Sequence, residues 1–418
     1  MIPFLFLLFL LLLLLRPSRA LSQEELRILH ASDLHFISPE INDNGPAFTR
    51  LVSPADGKVM LYSSPLIDAF ISQVRQEHPD LVILSGDLTF NGAPESHRDL
   101  ARRLRELSLE GIPVYVIPGN HDLDCLSAAR FSGTRITRIP PATAQDFLAI
   151  WEDFGYRQAL SRDSESLSYS LRLPGRRLAV FVDVNTPDSP GALKATTLNW
   201  IRQQMEPARK QALSVLLVTH QPILTHNTHF TQGFQMKNSA ELAQLADASP
   251  ISCILGGHMH IQNVRRTPGG IPEILVSALC SYPLQYNLLT LGREENRYEA
   301  RSVEVTRWAR EQGLESRDLM NFMAYALTRV VNASIHSNAT RQLLSAKNSS
   351  SLLTYLANLN KSYFSGNLTS MRIEDSLFEE LCAQSSFWSV YARSMAPDFG
   401  QDYRHLIWRN APCPEPAP

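Results

Sequence analysis

The chain has 418 residues, room for two or three domains at about 150 residues each. Hydrophobic residues make up 44% and charged residues 19%, an ordinary globular balance that excludes wholesale disorder. Lys plus Arg number 39 and Asp plus Glu 41, a formal charge of -2, which excludes a long basic groove and with it extended nucleic acid as the main partner.

Residues 4–15 are only Phe and Leu, and Ser18-Arg19-Ala20 follows. The run is shorter than the ~20 apolar residues of a membrane span and fits a signal-peptide core with a small-x-small cleavage site. Residues 1–20 are therefore expected to be a signal peptide and the protein to be exported, whether secreted, periplasmic or at the cell surface. The alternative is an uncleaved anchor, the one route to membrane contact.

From residue 27 onward short apolar runs alternate with helical patterns. Strands are expected at 26–30, 81–84, 114–117, 178–184, 213–218 and 251–255, and helices at 65–77, 95–108, 143–154, 195–209 and 238–247. This alternation is the mark of an α/β domain with helices outside its sheets. After residue 256 strands alone are expected, at 261–266, 273–279, 286–291 and 298–306, forming a second sheet that closes a sandwich. Residues 309–412 read as a small helical C-terminal domain. Residues 38–63 read as an irregular insertion, either a lid or a surface excursion, with a turn at Asp56-Gly57.

Cys125, Cys253, Cys280, Cys382 and Cys413 are scattered, odd in number and lack a CxxC pair, so they form neither a disulfide scaffold nor a zinc ribbon. Cys382 and Cys413 are the one candidate pair. Asn332, Asn338, Asn348, Asn360 and Asn367 begin N-x-[ST] sequons, which in an exported eukaryotic chain would mark a glycosylated surface.

The chemistry is concentrated in five short motifs: Asp33-Leu34-His35, Gly86-Asp87, Pro118-Gly119-Asn120-His121-Asp122, Thr219-His220 and Gly256-Gly257-His258-Met259-His260. Each follows a predicted strand, and in an open α/β sheet such loops emerge on one edge, where ligands bind. Imidazoles and carboxylates together suit Zn, Fe, Mn or Ni better than Mg or Ca. A bridging carboxylate holds two ions about 3.5–4 Å apart, the spacing used for in-line displacement at phosphorus. Asp122 either fixes the tautomer of His121 or serves the local structure, and the structural role is favoured. His226 and His229 lie in a loop beyond His220, and His226 is the better candidate for substrate contact.

The ordered series D-x-H, GD, GNHD, H and GHxH resembles the calcineurin-like metallophosphoesterases, in particular the class III cyclic nucleotide phosphodiesterases. The resemblance covers about residues 27–306. It implies a four-layer αββα sandwich and two divalent metal ions (Mn, Fe or Zn). By the same resemblance Asp33, His35 and His260 bind one metal, Asn120, His220 and His258 the other, and Asp87 bridges them. His121 then sits beside both without ligating and either protonates the leaving oxygen or stabilises its developing charge, the alternative being to orient Asp33 or Asn120; hydroxide held between the metals attacks the phosphodiester of a small phosphorylated substrate, cyclic nucleotides leading. A phosphomonoesterase or a lipid or nucleotide pyrophosphate hydrolase is the alternative on the same site. A non-catalytic scaffold is disfavoured because no ligand position is missing.

Overall fold

A computed structural model describes residues 25–53, 57–335, 348–384 and 387–410. The leader, the Asp56-Gly57 turn at Asp56, the sequon at Asn338 and the Cys413 end of the candidate disulfide lie outside these residues.

Two sheets dominate. The strands of the first are β1 (Leu26–Ala31), β2 (Leu81–Ser85), β3 (Val114–Ile117), β11 (Gln285–Leu291), β12 (Glu295–Ser302) and β13 (His405–Arg409), in the order β13-β12-β11-β1-β2-β3. The second is built of β4 (Ser161–Arg162), β5 (Tyr169–Leu173), β6 (Arg177–Val182), β7 (Ser214–Thr219), β8 (Ile251–Gly256), β9 (Asn263–Arg266) and β10 (Pro272–Leu275). Their order is β9-β10-β8-β7-β6-β5-β4. β1, β2 and β3 run parallel, as do β6, β7, β8 and β10, and hairpins finish the edges antiparallel.

Strand parity builds the layers, because successive side chains on a strand point to opposite faces. Leu178, Val180 and Val182 of β6 pack outward with Val215, Leu217 and Ile254. There they meet Leu198, Ile201 and Met205 of one helix (Ala195–Lys210) and Leu242 and Ala246 of another (Ala240–Asp247). The intervening Ala179, Phe181, Leu216, Val218, Cys253 and Leu255 point the other way, into a core shared with the first sheet. Leu66, Ile67 and Phe70 of the Ser63–Glu77 helix and Leu100 and Leu104 of the Pro94–Leu109 helix cover that sheet's outer face. The result is helix, sheet, sheet, helix, the expected four layers.

Two expectations change. The strands after residue 256 do not make a sheet of their own. One hairpin, β9 with β10, completes the second sheet, and the other, β11 with β12, returns antiparallel to β1 in the first. The region read as a small helical domain also contains a strand, β13, which pairs with β12. Its Trp408 is buried and donates Nε1 to the Ser252 carbonyl of the second sheet at 3.0 Å. The helices between are present, among them Phe322–Ile335, Ser349–Ser365 and Phe387–Met395. The last two share an apolar core with Ile261 and Leu275 of the sandwich, whereas Phe322, Ala326 and Val330 of the first join the main core. Asn360 is buried within them, so that sequon is no surface position. Within 38–63 the described residues include packed ones: Ile41, Phe48, Val52 and Met60 form a small core with Ala129 and Phe131.

Candidate metal centre

All five motifs leave the C-terminal ends of parallel strands. Ala31 pairs with Leu84 and Ser85 with Ile117, so the three loops of the first sheet start level. Backbone pairing continues past the strands: the amides of Asp33 and His35 donate to the carbonyls of Gly86 and Asp87 at 3.0 and 2.9 Å. The second sheet delivers its two loops beside them, and the Gly257 amide donates to the His220 carbonyl at 3.0 Å.

The side chains converge in two sets. In the first, Asp33 Oδ1 lies 3.3 Å from His260 Nε2 and 3.9 Å from His35 Nε2. In the second, His220 Nε2 lies 3.2 Å from Asn120 Oδ1 and 3.2 Å from His258 Nδ1. Asp87 faces both, with Oδ2 3.5 Å from His35 Nε2 and Oδ1 3.4 Å from His220 Nε2.

Backbone groups set the ring orientations. His220 Nδ1 meets the Ser85 carbonyl at 2.8 Å, His258 Nε2 the Gly233 carbonyl at 3.0 Å, and His121 Nδ1 the Phe90 carbonyl at 3.1 Å. Each contact fixes a tautomer and turns the other ring nitrogen toward the centre. These partners escape sequence reading because a carbonyl oxygen has no residue signature. The closeness also depends on glycine. A Cβ at Gly257 would lie 1.9 Å from Ser32 Oγ and 2.7 Å from Asp33 Oδ2, and one at Gly119 would lie 2.2 Å from Asp87 Oδ1.

Electrostatics suit a cation. Burial, with Lys58 adding to it, holds His35 well below the usual histidine range, and burial brings His258 down to about 4. Both are therefore neutral, the form that ligates. Burial opposes charge on His220, but Asp87, Asp33 and the Ser85 carbonyl outweigh it and push it up to about 9. A divalent ion competes with that proton for the same lone pair. Burial also opposes ionisation of Asp87, yet His220, His121 and His35 keep it well below the usual carboxylate range.

The residues fit metal on a further ground. Asp33 Oδ1 and His35 Nε2 are buried and have no hydrogen-bond partner among the described residues. Buried polar atoms are seldom left so, and both point into the first set. Three-residue groups able to hold an ion recur here: Asp33 with His35 and His260, His35 with Asp87 and His121, and Asp87 with His220 and His258.

His226 stands apart from this cluster. It is buried, with Nδ1 2.9 Å from Asn263 Oδ1 and Nε2 3.1 Å from Glu273 Oε2. Both nitrogens are engaged by the framework of the second sheet, so the expected substrate contact gives way to a structural role. His229 is exposed and packs on Phe230 and Phe387. Asp122 accepts from the amides of Leu88, Thr89 and Gly119 at 3.0, 2.8 and 2.8 Å, a structural role that ties two ligand loops together.

An αββα sandwich that gathers imidazole, carboxylate and amide side chains at five strand ends presents a donor set that fits a pair of metal ions. The comparison with known families agrees. The chain belongs to the calcineurin-like phosphoesterase family, whose model matches residues 26–262. The C-terminal domain of cyclic nucleotide phosphodiesterase matches residues 304–402. Among curated relatives, a 3',5'-cyclic-nucleotide phosphodiesterase of Nostoc sp. is 26% identical over 189 residues, 45% of this chain and 58% of the relative. A probable glycerophosphodiester phosphodiesterase of Arcobacter nitrofigilis is 24% identical over 238 residues, 56% of this chain and 76% of the relative. A cAMP/cGMP dual specificity phosphodiesterase of Mycobacterium tuberculosis is 21% identical over 257 residues, 60% of this chain and 67% of the relative. The chain thus spans little more than half the length of the first of these relatives.

Proposed function

We propose that this protein hydrolyses phosphodiesters at a pair of divalent ions (Mn, Fe or Zn), with cyclic nucleotides as the leading substrate class, and that it does so after export. The observation that carries the reading is Asp87, whose two oxygens face two separate ligand sets. The cyclic-nucleotide and glycerophosphodiester names of the relatives support a diester over a monoester. Export rests on the apolar leader alone.

Bound ions would lower the pKa of a water and polarise the phosphoryl oxygens. Asp33, His35 and His260 would hold one, and Asn120, His220 and His258 the other. Asn120 contributes a neutral oxygen, which leaves the centre net positive toward an anionic substrate. His121 Nδ1–H donates a hydrogen bond to the Phe90 carbonyl, and its backbone amide donates to Asp87 Oδ1 at 2.8 Å. In the imidazolium form its Nε2 proton serves the leaving oxygen.

A panel of bis-p-nitrophenyl phosphate, p-nitrophenyl phosphate, cyclic AMP and a phospholipid, assayed with Mn²⁺, tests the reading. Preference for the monoester would overturn it. His121→Ala should lower kcat about 10²- to 10⁴-fold for a poorly departing alkoxide, the usual worth of proton transfer. Loss on bis-p-nitrophenyl phosphate should be much smaller, because p-nitrophenolate departs without a proton. Equal losses on both would remove His121 as the acid.

A further inference from the structure

Residues 222–237 lead from β7 past the metal centre toward the helix Ala240–Asp247, and three anchors fix them. At the start, Glu273 accepts from the amides of Ile223 and Leu224 at 2.7 and 2.8 Å. In the middle, Asn227 Nδ2 donates to Tyr363 Oη at 2.8 Å and Ser394 Oγ at 3.0 Å, both in the C-terminal helices. Near the end, the Gly233 carbonyl holds His258 Nε2.

Between these anchors the segment presents aromatic rings. Phe230 lies 5.7 Å from Tyr391 and 5.1 Å from Phe234, and Phe234 lies 5.8 Å from the ring of His258. Phe234 is nonetheless 37% exposed. An apolar ring pinned from behind, open in front and adjacent to a metal ligand contributes little to the core. Its place beside His258 leaves the ring available to a planar group seated over the centre.

We propose that Phe234, backed by Phe230, is the stacking face for the planar base of a nucleoside phosphodiester whose phosphate sits at the metal centre. The proposal rests on the phosphodiesterase reading and narrows it to substrates that carry a base. A nucleobase matches the face because every base has a π surface to lay on a ring. It also matches the rim, where His229 packs on Phe230 and both His229 and Gln232, two residues after Phe230, are exposed polar groups able to partner a heteroaromatic edge. An acyl chain would make no use of them. The C-terminal helices thereby enter substrate choice without touching the substrate, since Tyr363, Ser394 and Tyr391 hold the segment in place.

The test compares cyclic AMP with glycerophosphocholine, a phosphodiester without a ring, on the full-length Mn²⁺-loaded protein. In Phe234→Ala the ratio of kcat/KM for cyclic AMP to that for glycerophosphocholine should fall about tenfold, the scale of one lost base stack. Phe234→Trp should restore it. Manganese content, measured on both variants, should stay at the wild-type value and so separates loss of stacking from disturbance of His258. An unchanged ratio in Phe234→Ala, or wild-type turnover of glycerophosphocholine without any of cyclic AMP, would overturn the proposal and leave the diesterase reading standing. A loss confined to a short-chain phospholipid would assign the face to acyl groups and overturn it equally. Wild-type protein that cleaves only monoesters would overturn the diesterase reading itself.

Discussion

Asp87→Asn is expected to lower kcat on every phosphodiester by at least about a thousandfold, because a metal pair supplies several kcal/mol of charge stabilisation. The change is nearly isosteric, so the fold should survive it. What it removes is one of two anionic oxygens, and each of those lies about one ligand's reach from a different histidine, 3.5 Å from His35 and 3.4 Å from His220. An amide nitrogen cannot ligate. Equilibrium dialysis with Mn²⁺ should show at least one ion lost per chain. The second ion should bind more weakly as well, because the carboxylate that faces both sets is replaced by a neutral amide. Wild-type metal content together with wild-type turnover would dismiss the bridging role and the two-ion mechanism with it.

Much of this centre was legible in the sequence, for a physical reason. Its side chains are chemically distinctive and placed directly after buried apolar strands, and both signals are local. Asp33, His35, Asp87, Asn120, His121, His220, His258 and His260 each follow a strand end, as their motifs required. His226 misled because proximity in sequence to His220 says nothing about which way a loop side chain turns. Its orientation is set by Asn263 and Glu273, 37 and 47 residues further along the chain. β13 was missed for a similar reason. Its alternation spans only five residues, and its partner β12 is more than a hundred residues away.

Backbone conformation was invisible for another reason. Asp33, His35, Asp87, His258 and His260 all adopt positive φ, between 43° and 66°. Left-handed backbone is uncommon outside glycine, and its gathering on five residues of one buried cluster marks strain held at the candidate site. The geometry explains how D-x-H brings both outer residues into the first set, and how H-x-H sends His260 to the first set and His258 to the second. Such turns reverse the chain sharply enough that Asp33 and His35, or His258 and His260, face the centre rather than opposite sides of a strand. The strain is borne by surrounding hydrogen bonds: the His258 amide donates to Asp33 Oδ2 at 2.9 Å and the Cys280 amide to the Asp33 carbonyl at 3.2 Å.

Asp122 carries the heaviest share of that load, and its replacement is the second large effect. Its buried carboxylate accepts four hydrogen bonds, from the Leu88, Thr89 and Gly119 amides and from Thr89 Oγ1 at 2.9 Å. Those donors flank Asp87 on one loop and Asn120 on the other. His97 supports it from behind, with Nε2 2.8 Å from the Asp122 carbonyl and Nδ1 accepting from Trp151 at 3.1 Å. Asp122→Ala strands several buried donors at about 1–3 kcal/mol each, a large part of the roughly 5–15 kcal/mol that holds a domain folded. Urea unfolding should show a steep fall in the midpoint. Asp122→Asn keeps one acceptor oxygen and turns an amide toward the remaining donors, so its fall should be about half as large. The same variant separates the two roles open to Asp122. His121 already spends Nδ1 on the Phe90 carbonyl, so its tautomer does not depend on Asp122. Asp122→Asn should therefore slow substrates with good and poor leaving groups by the same factor, because it displaces Asp87 and Asn120 rather than the acid. A loss concentrated on poor leaving groups, as in His121→Ala, would instead show Asp122 acting through the histidine beside it.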